Sequence, residues 1–330
     1  MLMSSGEKLW DHVKILMKER GYEALQFSKQ TILQEEIGYE PLREALRYFV
    51  EEFWFDSLHP TLISLACEAV GGNHKETIKM GAAIVLMAGA ADIHDDIMDQ
   101  SIIKEPNQTI FGKFGGDIAI LAGDALLLKG IYLLHDSCES LPKWKKQEIL
   151  GIVKRTFFEM SSGVAKEASL RGKINISGIE FLDTINQKVS TAEATTRIGA
   201  ILGNGTENEI AVIGHYGRTL GLLLSLRDEF VDVFEANELK NRFEHECLPI
   251  PILLALQNMS IQSELLCLLK DQITDNHLER ILDLSLDCEE SKNLIVKMKS
   301  SVEEEIVNLS SVRKCKDALV LLLKATLEDL

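Results

Sequence analysis

Proline is scarce in this sequence, and the residue spacings typical of zinc sites and disulfide scaffolds are missing. The 330 residues include six prolines, and the six cysteines occur without a CxxC pair. The histidines show neither a His-Glu-x-x-His motif nor another paired-ligand spacing, so we expect no zinc site. Scattered cysteines in a chain of this length indicate reduced thiols, which favours a cytoplasmic protein.

Basic residues are also fewer than acidic ones. Lys and Arg number 35 against 51 Asp and Glu, which gives a formal net charge of −16, and no long basic block offsets it. This balance argues against nucleic acid and anionic membranes as partners. The sequence begins without a basic segment followed by an apolar one, and its most apolar stretch, 118–134, contains Asp124 and Lys129. We therefore expect neither a secretion signal nor a transmembrane segment.

The apolar residues are spaced as in helices rather than in strands. Hydrophobic residues make up 46% of the chain and recur mainly at intervals of three and four, which predicts an all-α protein. Glycines and prolines divide the chain into successive helices, and no stretch has the composition of a linker or a repeat. One domain spanning residues 1–330 is the simplest organisation.

Residues 91–99 hold an unusual concentration of negative charge. If this stretch is helical, its four aspartates lie one turn apart in two pairs: Asp92 with Asp96, and Asp95 with Asp99. Like charges at this spacing cost roughly 0.2–0.5 kcal/mol per pair. Because an apolar run precedes them, we interpret the cluster as a Mg²⁺ site that also holds a phosphate, since hard divalent cations prefer oxygen ligands. A solvated acidic helix face is the alternative.

A second carboxylate cluster follows much later in the chain. Residues 222–234 are mostly apolar but contain Asp228 and Asp232 one turn apart, with Glu229 beside the first of them. Alone, such a pair is common and carries little information. Two clusters that face each other across a helical bundle would form a cage for several Mg²⁺ ions and a diphosphate.

These motifs together resemble the trans-prenyltransferase family, the isoprenyl or polyprenyl diphosphate synthases. Residues 94–99, His-Asp-Asp-Ile-Met-Asp, are similar to the family's first aspartate-rich motif, DDxxD. The segment 113–117, Lys-Phe-Gly-Gly-Asp, followed by Leu-Ala-Gly-Asp-Ala-Leu-Leu at 121–127, is equally typical of that family. So is Leu-Ala-Cys-Glu-Ala-Val-Gly-Gly at 65–72.

The resemblance implies a fold and a reaction. We expect an isoprenoid-synthase helical bundle around a deep apolar cavity, in a homodimer or in a heteromer with another prenyl synthase. In such enzymes Mg²⁺ ions withdraw the diphosphate from an allylic prenyl diphosphate, and isopentenyl diphosphate attacks the resulting carbocation. The resemblance assigns metal binding to six residues, of which the first three are also the catalytic ones: Asp95, Asp96, Asp99, Asp228, Glu229 and Asp232.

The basic residues that bind isopentenyl diphosphate in the family are largely replaced here. The family's Gly-Lys-Arg-x-Arg-Pro segment corresponds to 54–60, where His59 is the one residue able to carry positive charge. The Arg-Arg pair after the first motif becomes Lys104 and Glu105. Lys188 corresponds approximately to a lysine in the middle of the family's sequence, and Arg227 directly precedes the second carboxylate cluster. We expect Lys104, Lys188 and Arg227 to bind diphosphate.

Ala90 and Ala91 directly precede the first motif. Bulky aromatic residues at these positions shorten the product in the family, so two alanines predict a deeper pocket for chains of C20 or longer. Plain helix packing by small residues is the alternative.

Three functional accounts stay open. In the favoured one, an active enzyme ionises an allylic diphosphate and uses an acceptor other than isopentenyl diphosphate, or cyclises the substrate. In the second, the chain is a weakly active or regulatory subunit of a heteromeric synthase. In the third, it is an ordinary chain-elongating synthase whose second substrate is held by substituted cations: His59, Lys104 and Lys113.

Overall fold

The computed structural model describes residues 8–104, 106–270, 273–328 and 330. Across these residues the chain forms sixteen α-helices and one hairpin of two short strands, which confirms the all-α prediction. Glu105, which replaces the second arginine of the family's Arg-Arg pair, lies outside the described residues.

Six helices form the first part of the chain: α1 (Leu9–Leu33), α2 (Glu40–Tyr48), α3 (Leu58–Ala69), α4 (Ile78–Met98), α5 (Ile110–Phe114) and α6 (Gly116–Ser137). Six more follow: α7 (Lys143–Leu170), α8 (Gly178–Lys188), α9 (Ser190–Leu202), α10 (Glu207–Val231), α11 (Ala236–His245) and α12 (Ile250–Ala255). The last four are α13 (Gln262–Lys270), α14 (Asp275–Leu286), α15 (Glu289–Asn308) and α16 (Lys316–Ala325).

Short elements join some of these helices. A π-helical turn, Phe49–Phe53, follows α2, and 3₁₀ turns occur at His74–Thr77, Asp232–Phe234 and Leu309–Ser311. The antiparallel strands β1 (Ile103–Lys104) and β2 (Asn107–Gln108) lie between α4 and α5, with Ile103 opposite Gln108. The hairpin therefore returns the chain to the C-terminal end of α4.

Helix α4 lies inside the bundle. Its residues Met80, Leu86 and Ile93 are each buried, in a cluster shared with α2, α3, α6, α7 and α9. A second apolar cluster lies among α8, α10, α12 and the C-terminal helices. A helix buried on most sides has no polar stripe, and this explains why α4 is apolar until its last two turns.

Two contacts between helices depend on glycine. A Cβ atom added to Gly199 of α9 would lie 2.5 Å from the carbonyl oxygen of Ile63 in α3, and one on Gly203 would overlap the carbonyl of Cys67. Backbone therefore packs directly on backbone where α3 and α9 cross. On the other side of α4, Gly123 of α6 leaves room for the imidazole of His94.

By length and composition, two helical segments could cross a membrane: His74–Met98 and Gly116–Ser137. The most apolar window of the first is 56% buried inside the protein and that of the second 39%. A core helix of a folded domain meets the same criteria, and α4 is such a helix. Helix α6 packs one face on α4 and exposes apolar side chains on the other: Ile120, Leu128, Ile131 and Tyr132.

Candidate active site

Carboxylates gather at the C-terminal end of α4. We call Asp92, Asp95, Asp96 and Asp99 the α4 carboxylates. The helix ends at Met98, so the negative end of its dipole lies beside these acids and adds to their repulsion. Asp96 is 1% exposed, whereas Asp95 and Asp99 are partly exposed on an adjacent face. Such an arrangement requires cations nearby.

Lys104 supplies one of these cations. Its Nζ atom lies 2.7 Å from Oδ1 of Asp96 and 3.1 Å from Oδ1 of Asp92. The hairpin brings it there, because the Thr109 hydroxyl donates to the Ser101 carbonyl at 2.6 Å and closes the loop between α4 and α5. The structure therefore places Lys104, a predicted diphosphate ligand, directly against the α4 carboxylates.

Arg171 supplies a second cation, which was not predicted from the sequence. It follows the last residue of α7, where Nη1 donates to the Met98 carbonyl at 2.5 Å and Nη2 pairs with Asp99. The guanidinium thus neutralises both the last aspartate and the carbonyl end of α4. Arg171 and Asp99 are too far apart in the chain for a sequence spacing to predict their contact.

Lys188 lies at the end of α8 beside Asp95. Its ammonium group forms an ion pair with Glu167 of α7. Gly163 allows this close approach of α7 and α8, since a Cβ atom there would lie 3.0 Å from the Lys188 backbone nitrogen. Burial raises the pKa of Asp95, and the charge of Lys188 partly opposes that increase. Asp95 itself makes no ion pair with any described residue.

A second group of acids occupies the end of α10. We call Asp228, Glu229 and Asp232 the α10 carboxylates. Arg242 of α11 contacts two of them: Nη2 lies 2.9 and 3.1 Å from the oxygens of Glu229, and Nη1 lies 2.6 Å from Asp232. The Ile250 backbone N–H also donates to Glu229 at 2.9 Å. Sequence analysis missed Arg242 as well.

Asp228 differs from its two neighbours, because its side chain is 67% exposed. Nη1 of Arg227 lies 3.6 Å away, while the Arg227 guanidinium also lies over the ring of Trp10 in α1, 5.1 Å from the ring centre. The structure thus places Arg227, a predicted diphosphate ligand, between the α10 carboxylates and α1.

The two sets of carboxylates influence each other. Burial raises the pKa of Glu246 to about 8, and Asp99 contributes further, so this acid from the segment after α11 faces the end of α4. Lys188 interacts with Asp95 of one set and Glu229 of the other, and both raise its pKa against the effect of burial. The ends of α4 and α10 therefore share one charged space.

Negative charge remains in excess in this space. Burial, reinforced by neighbouring acids, raises the pKa of Asp96 to about 7 and that of Asp99 to about 6. The raised pKa values show that the nearby lysines and arginines compensate these carboxylates incompletely.

A divalent cation fits the donor chemistry of the α4 carboxylates. They offer hard oxygen ligands with uncompensated charge, and Asp95 is not engaged by a protein cation. Among the described residues, no three His, Cys, Asp or Glu side chains converge on a single metal position. Lys104, Arg171 and Arg242 each form an ion pair with one or more of the α4 and α10 carboxylates.

A small apolar cavity lies beside α4. A cavity of about 10 Å³ is lined by Phe49, Trp54, Gly89 and Leu126, among others. Ala90 is 1% exposed and packs within the apolar core. Ala91 is partly exposed and lies one turn before Asp95, on the same face of α4.

A larger cavity, of about 240 Å³, adjoins the charged space. It lies between the segment after α7 and the helices α11 and α13, and Glu246 forms part of its wall. Lys173 and Lys270 line it together with the apolar residues Ile174, Phe243, Leu248 and Leu266.

Residues 42–286 match the family described as polyprenyl synthetase. The chain is 30% identical over 175 residues to geranylgeranyl diphosphate synthase of Sulfolobus acidocaldarius, over 53% of each chain. It is 31% identical over 182 residues to short chain isoprenyl diphosphate synthase of Methanothermobacter thermautotrophicus, over 55% of each. A heterodimeric geranylgeranyl pyrophosphate synthase large subunit of Arabidopsis thaliana is 29% identical over 60% of this chain and 56% of its own. The matches span little more than half the length of these relatives.

Solved structures show the same fold. Geranylgeranyl pyrophosphate synthetase from Pyrococcus horikoshii superposes with a TM-score of 0.86 at 21% identity, over 97% of this chain and 99% of that one. Polyprenyl synthase from Caulobacter crescentus, complexed with calcium and isoprenyl diphosphate, gives a TM-score of 0.81 at 18% identity over 99% of both chains.

Proposed function

Since the chain belongs to the polyprenyl synthetase family, we propose that it is a Mg²⁺-dependent prenyltransferase that elongates an allylic prenyl diphosphate with isopentenyl diphosphate. This revises the account favoured by the sequence alone, in which the acceptor was a different molecule or the substrate cyclised. The relatives favour the revision, because their names describe geranylgeranyl or short-chain isoprenyl diphosphate synthases.

The observation that carries this proposal is the shared charged space at the ends of α4 and α10. A diphosphate needs cations, and the excess of carboxylates provides ligands for the metal ions that would accompany it. When bound, Mg²⁺ would stabilise the negative charge of the departing diphosphate. In this proposal Asp95, Asp96 and Asp99 bind metal.

Protein cations would assist at defined positions. Lys188 lies beside Asp95 and can exchange its contact with Glu167 for a phosphate oxygen. Arg171 holds Asp99 and the end of α4 in place, so it orients a ligand instead of serving as one. We propose that Lys104 has the same orienting role for Asp96 and turns to the diphosphate when metal neutralises that carboxylate.

Isopentenyl diphosphate, the second substrate, would bind among cations that differ from those of the family. Burial lowers the pKa of His59, but Asp56 more than compensates, since its carboxylate lies 2.7 Å from Nδ1 and the net pKa is raised. Lys113 lies 3.5 Å from the centre of the Tyr48 ring. Both side chains have partners inside the protein, so we expect weak binding of isopentenyl diphosphate, seen as a high KM.

A turnover assay on the full chain tests the proposal. The protein would be incubated with Mg²⁺, radiolabelled isopentenyl diphosphate and geranyl, farnesyl or geranylgeranyl diphosphate, and lipid products and released pyrophosphate would both be measured. We expect elongated products that disappear in Asp95→Ala but persist in Asp283→Ala, a matched loss of an exposed aspartate on α14. Pyrophosphate released without isopentenyl diphosphate would instead support the earlier account.

A second candidate function is that of a subunit in a heteromeric synthase. The exposed apolar side chains of α6 favour it: Leu128 is 70% exposed and Tyr132 is 67% exposed on the same face. Such a surface is typical of a contact with another chain, either a second copy or a different prenyl synthase. Sedimentation of the purified chain would distinguish a homodimer from a monomer that awaits a partner, and Leu128→Asp should abolish either association.

A further inference from the structure

Arg242 is almost fully buried, with 5% of its surface exposed, and it lies at the centre of the α10 carboxylates. We infer that its guanidinium takes the place of a metal ion there, so that Glu229 and Asp232 bind Arg242 and the metal ions of this chain are held by the α4 carboxylates and Asp228. The inference deepens the proposed function, since it names which acids bind the metal that the reaction uses.

All three nitrogen atoms of the Arg242 guanidinium are engaged. Nη1 and Nη2 contact the two acids, and Nε donates to the Cys247 carbonyl at 2.8 Å. The planar fork of arginine matches this geometry, and a lysine in its place could not make the same contacts. A metal ion bound between Glu229 and Asp232 would have to displace this buried cation.

Glu229 is saturated by protein donors. Its carboxylate accepts two contacts from Arg242 and one from the Ile250 backbone N–H, which leaves little of its capacity of about four hydrogen bonds. The same contacts connect α10 to the segment between α11 and α12. The acid therefore has a structural role at a position where the resemblance predicted a metal ligand.

Asp95 and Asp228 contrast with Glu229. Asp95 makes no ion pair with any described residue, and the Asp228 side chain is mostly exposed, with its nearest cation 3.6 Å away. These acids can turn towards a metal ion without breaking a buried ion pair. The structure thus separates Asp95 and Asp228, which are accessible to metal, from Glu229 and Asp232, which Arg242 already neutralises.

Manganese binding tests this division without any need for turnover. The full chain would be titrated with Mn²⁺ in the presence of inorganic pyrophosphate, and free Mn²⁺ would be followed by electron paramagnetic resonance. We expect Glu229→Gln to keep the number of bound ions and to change the Kd less than twofold. Asp95→Asn should lose an ion or weaken binding at least tenfold.

A second variant tests the same inference if Glu229→Gln fails to fold. Asp232→Asn keeps the contacts between Arg242 and Glu229 and should also leave Mn²⁺ binding unchanged. Arg242→Gln should release both acids and add one bound ion. Loss of an ion in Glu229→Gln or Asp232→Asn, or absence of Mn²⁺ binding by the unmodified chain, would overturn the inference. Absence of elongated products alongside the expected Mn²⁺ results would overturn the proposed function alone.

Discussion

The ammonium group of Lys104 lies 2.7 Å from the carboxylate of Asp96, an aspartate that is 1% exposed. The hairpin after α4 is thereby connected to the buried side of the first aspartate-rich motif. A lysine that the sequence suggested as a substrate contact also neutralises the most buried acid of the site.

We expect Lys104→Met to destabilise the protein by about 1–3 kcal/mol at pH 8, because the variant leaves a buried carboxylate without its cation. Urea unfolding would measure this. The loss should shrink at pH 6, where Asp96, whose pKa is already raised to about 7, binds a proton instead. Adding Asp96→Asn should recover most of the stability; a double variant as unstable as Lys104→Met would contradict this account.

Glu246 gives a prediction about pH. Its folded pKa of about 8 lies above the ordinary value of 4.5, so between these values the folded state binds more protons than the unfolded state. Stability should therefore fall as the pH rises from about 4.5 to 8. Glu246→Gln removes this charge and should stabilise the protein by about 1–3 kcal/mol at pH 8.5 and by almost nothing at pH 5.

Thermal or urea unfolding at the two pH values would measure the effect of Glu246→Gln. Glu244→Gln is the matched control, since it removes an exposed charge two residues away and should change stability by less than about 0.5 kcal/mol. An equal gain in both variants would point to the overall negative charge of the protein.

Chain length provides a third prediction, which depends on the proposed elongation activity. Ala91 shares a face of α4 with Asp95, whereas Ala90 is buried in the core. Ala91→Phe should shorten the longest product, and Ala90→Phe should lower stability by about 1–3 kcal/mol through overpacking. Mass spectrometry of the products and thermal unfolding would separate the two effects. Unchanged products in a folded Ala91→Phe variant would place the pocket elsewhere.

The crossing of α3 and α9 gives a prediction about packing. Gly199→Ala should destabilise the protein by about 2 kcal/mol or more, because the new methyl group would lie 2.5 Å from the Ile63 carbonyl oxygen. Gly38→Ala is the control, since nothing lies within 4 Å of that position. Urea unfolding of both variants would show whether the contact is as rigid as the structure indicates.

Local patterns made the fold class and the α4 carboxylates predictable from the sequence. Helical periodicity needs only neighbouring residues, and aspartates three and four positions apart must meet on one face. Helical geometry also distinguishes Ala91 from Ala90. Ala91 lies four residues before Asp95 and therefore shares its face of α4, whereas Ala90 does not.

Partners of the carboxylates could not be predicted in the same way. Arg171 meets Asp99 across 72 positions of sequence, and Arg242 meets Glu229 across the turn between α10 and α11. Such contacts depend on how helices pack, and neither arginine belongs to a motif. The sequence predicted that the acids form groups, but it did not predict the cations that neutralise some of them.

The glycine contacts between α3 and α9 have a consequence for how the protein responds to salt. Those contacts depend on shape, whereas the ends of α7, α8 and α11 are held to the site by ion pairs. Ionic strength screens charges but leaves steric contacts unchanged. Added salt should therefore speed amide hydrogen exchange around residues 166–174 and 236–246, while the amides of α3 and α9 stay protected. An incoming charged ligand should accordingly displace the segments held by ion pairs but leave the packing of α3 on α9 unchanged.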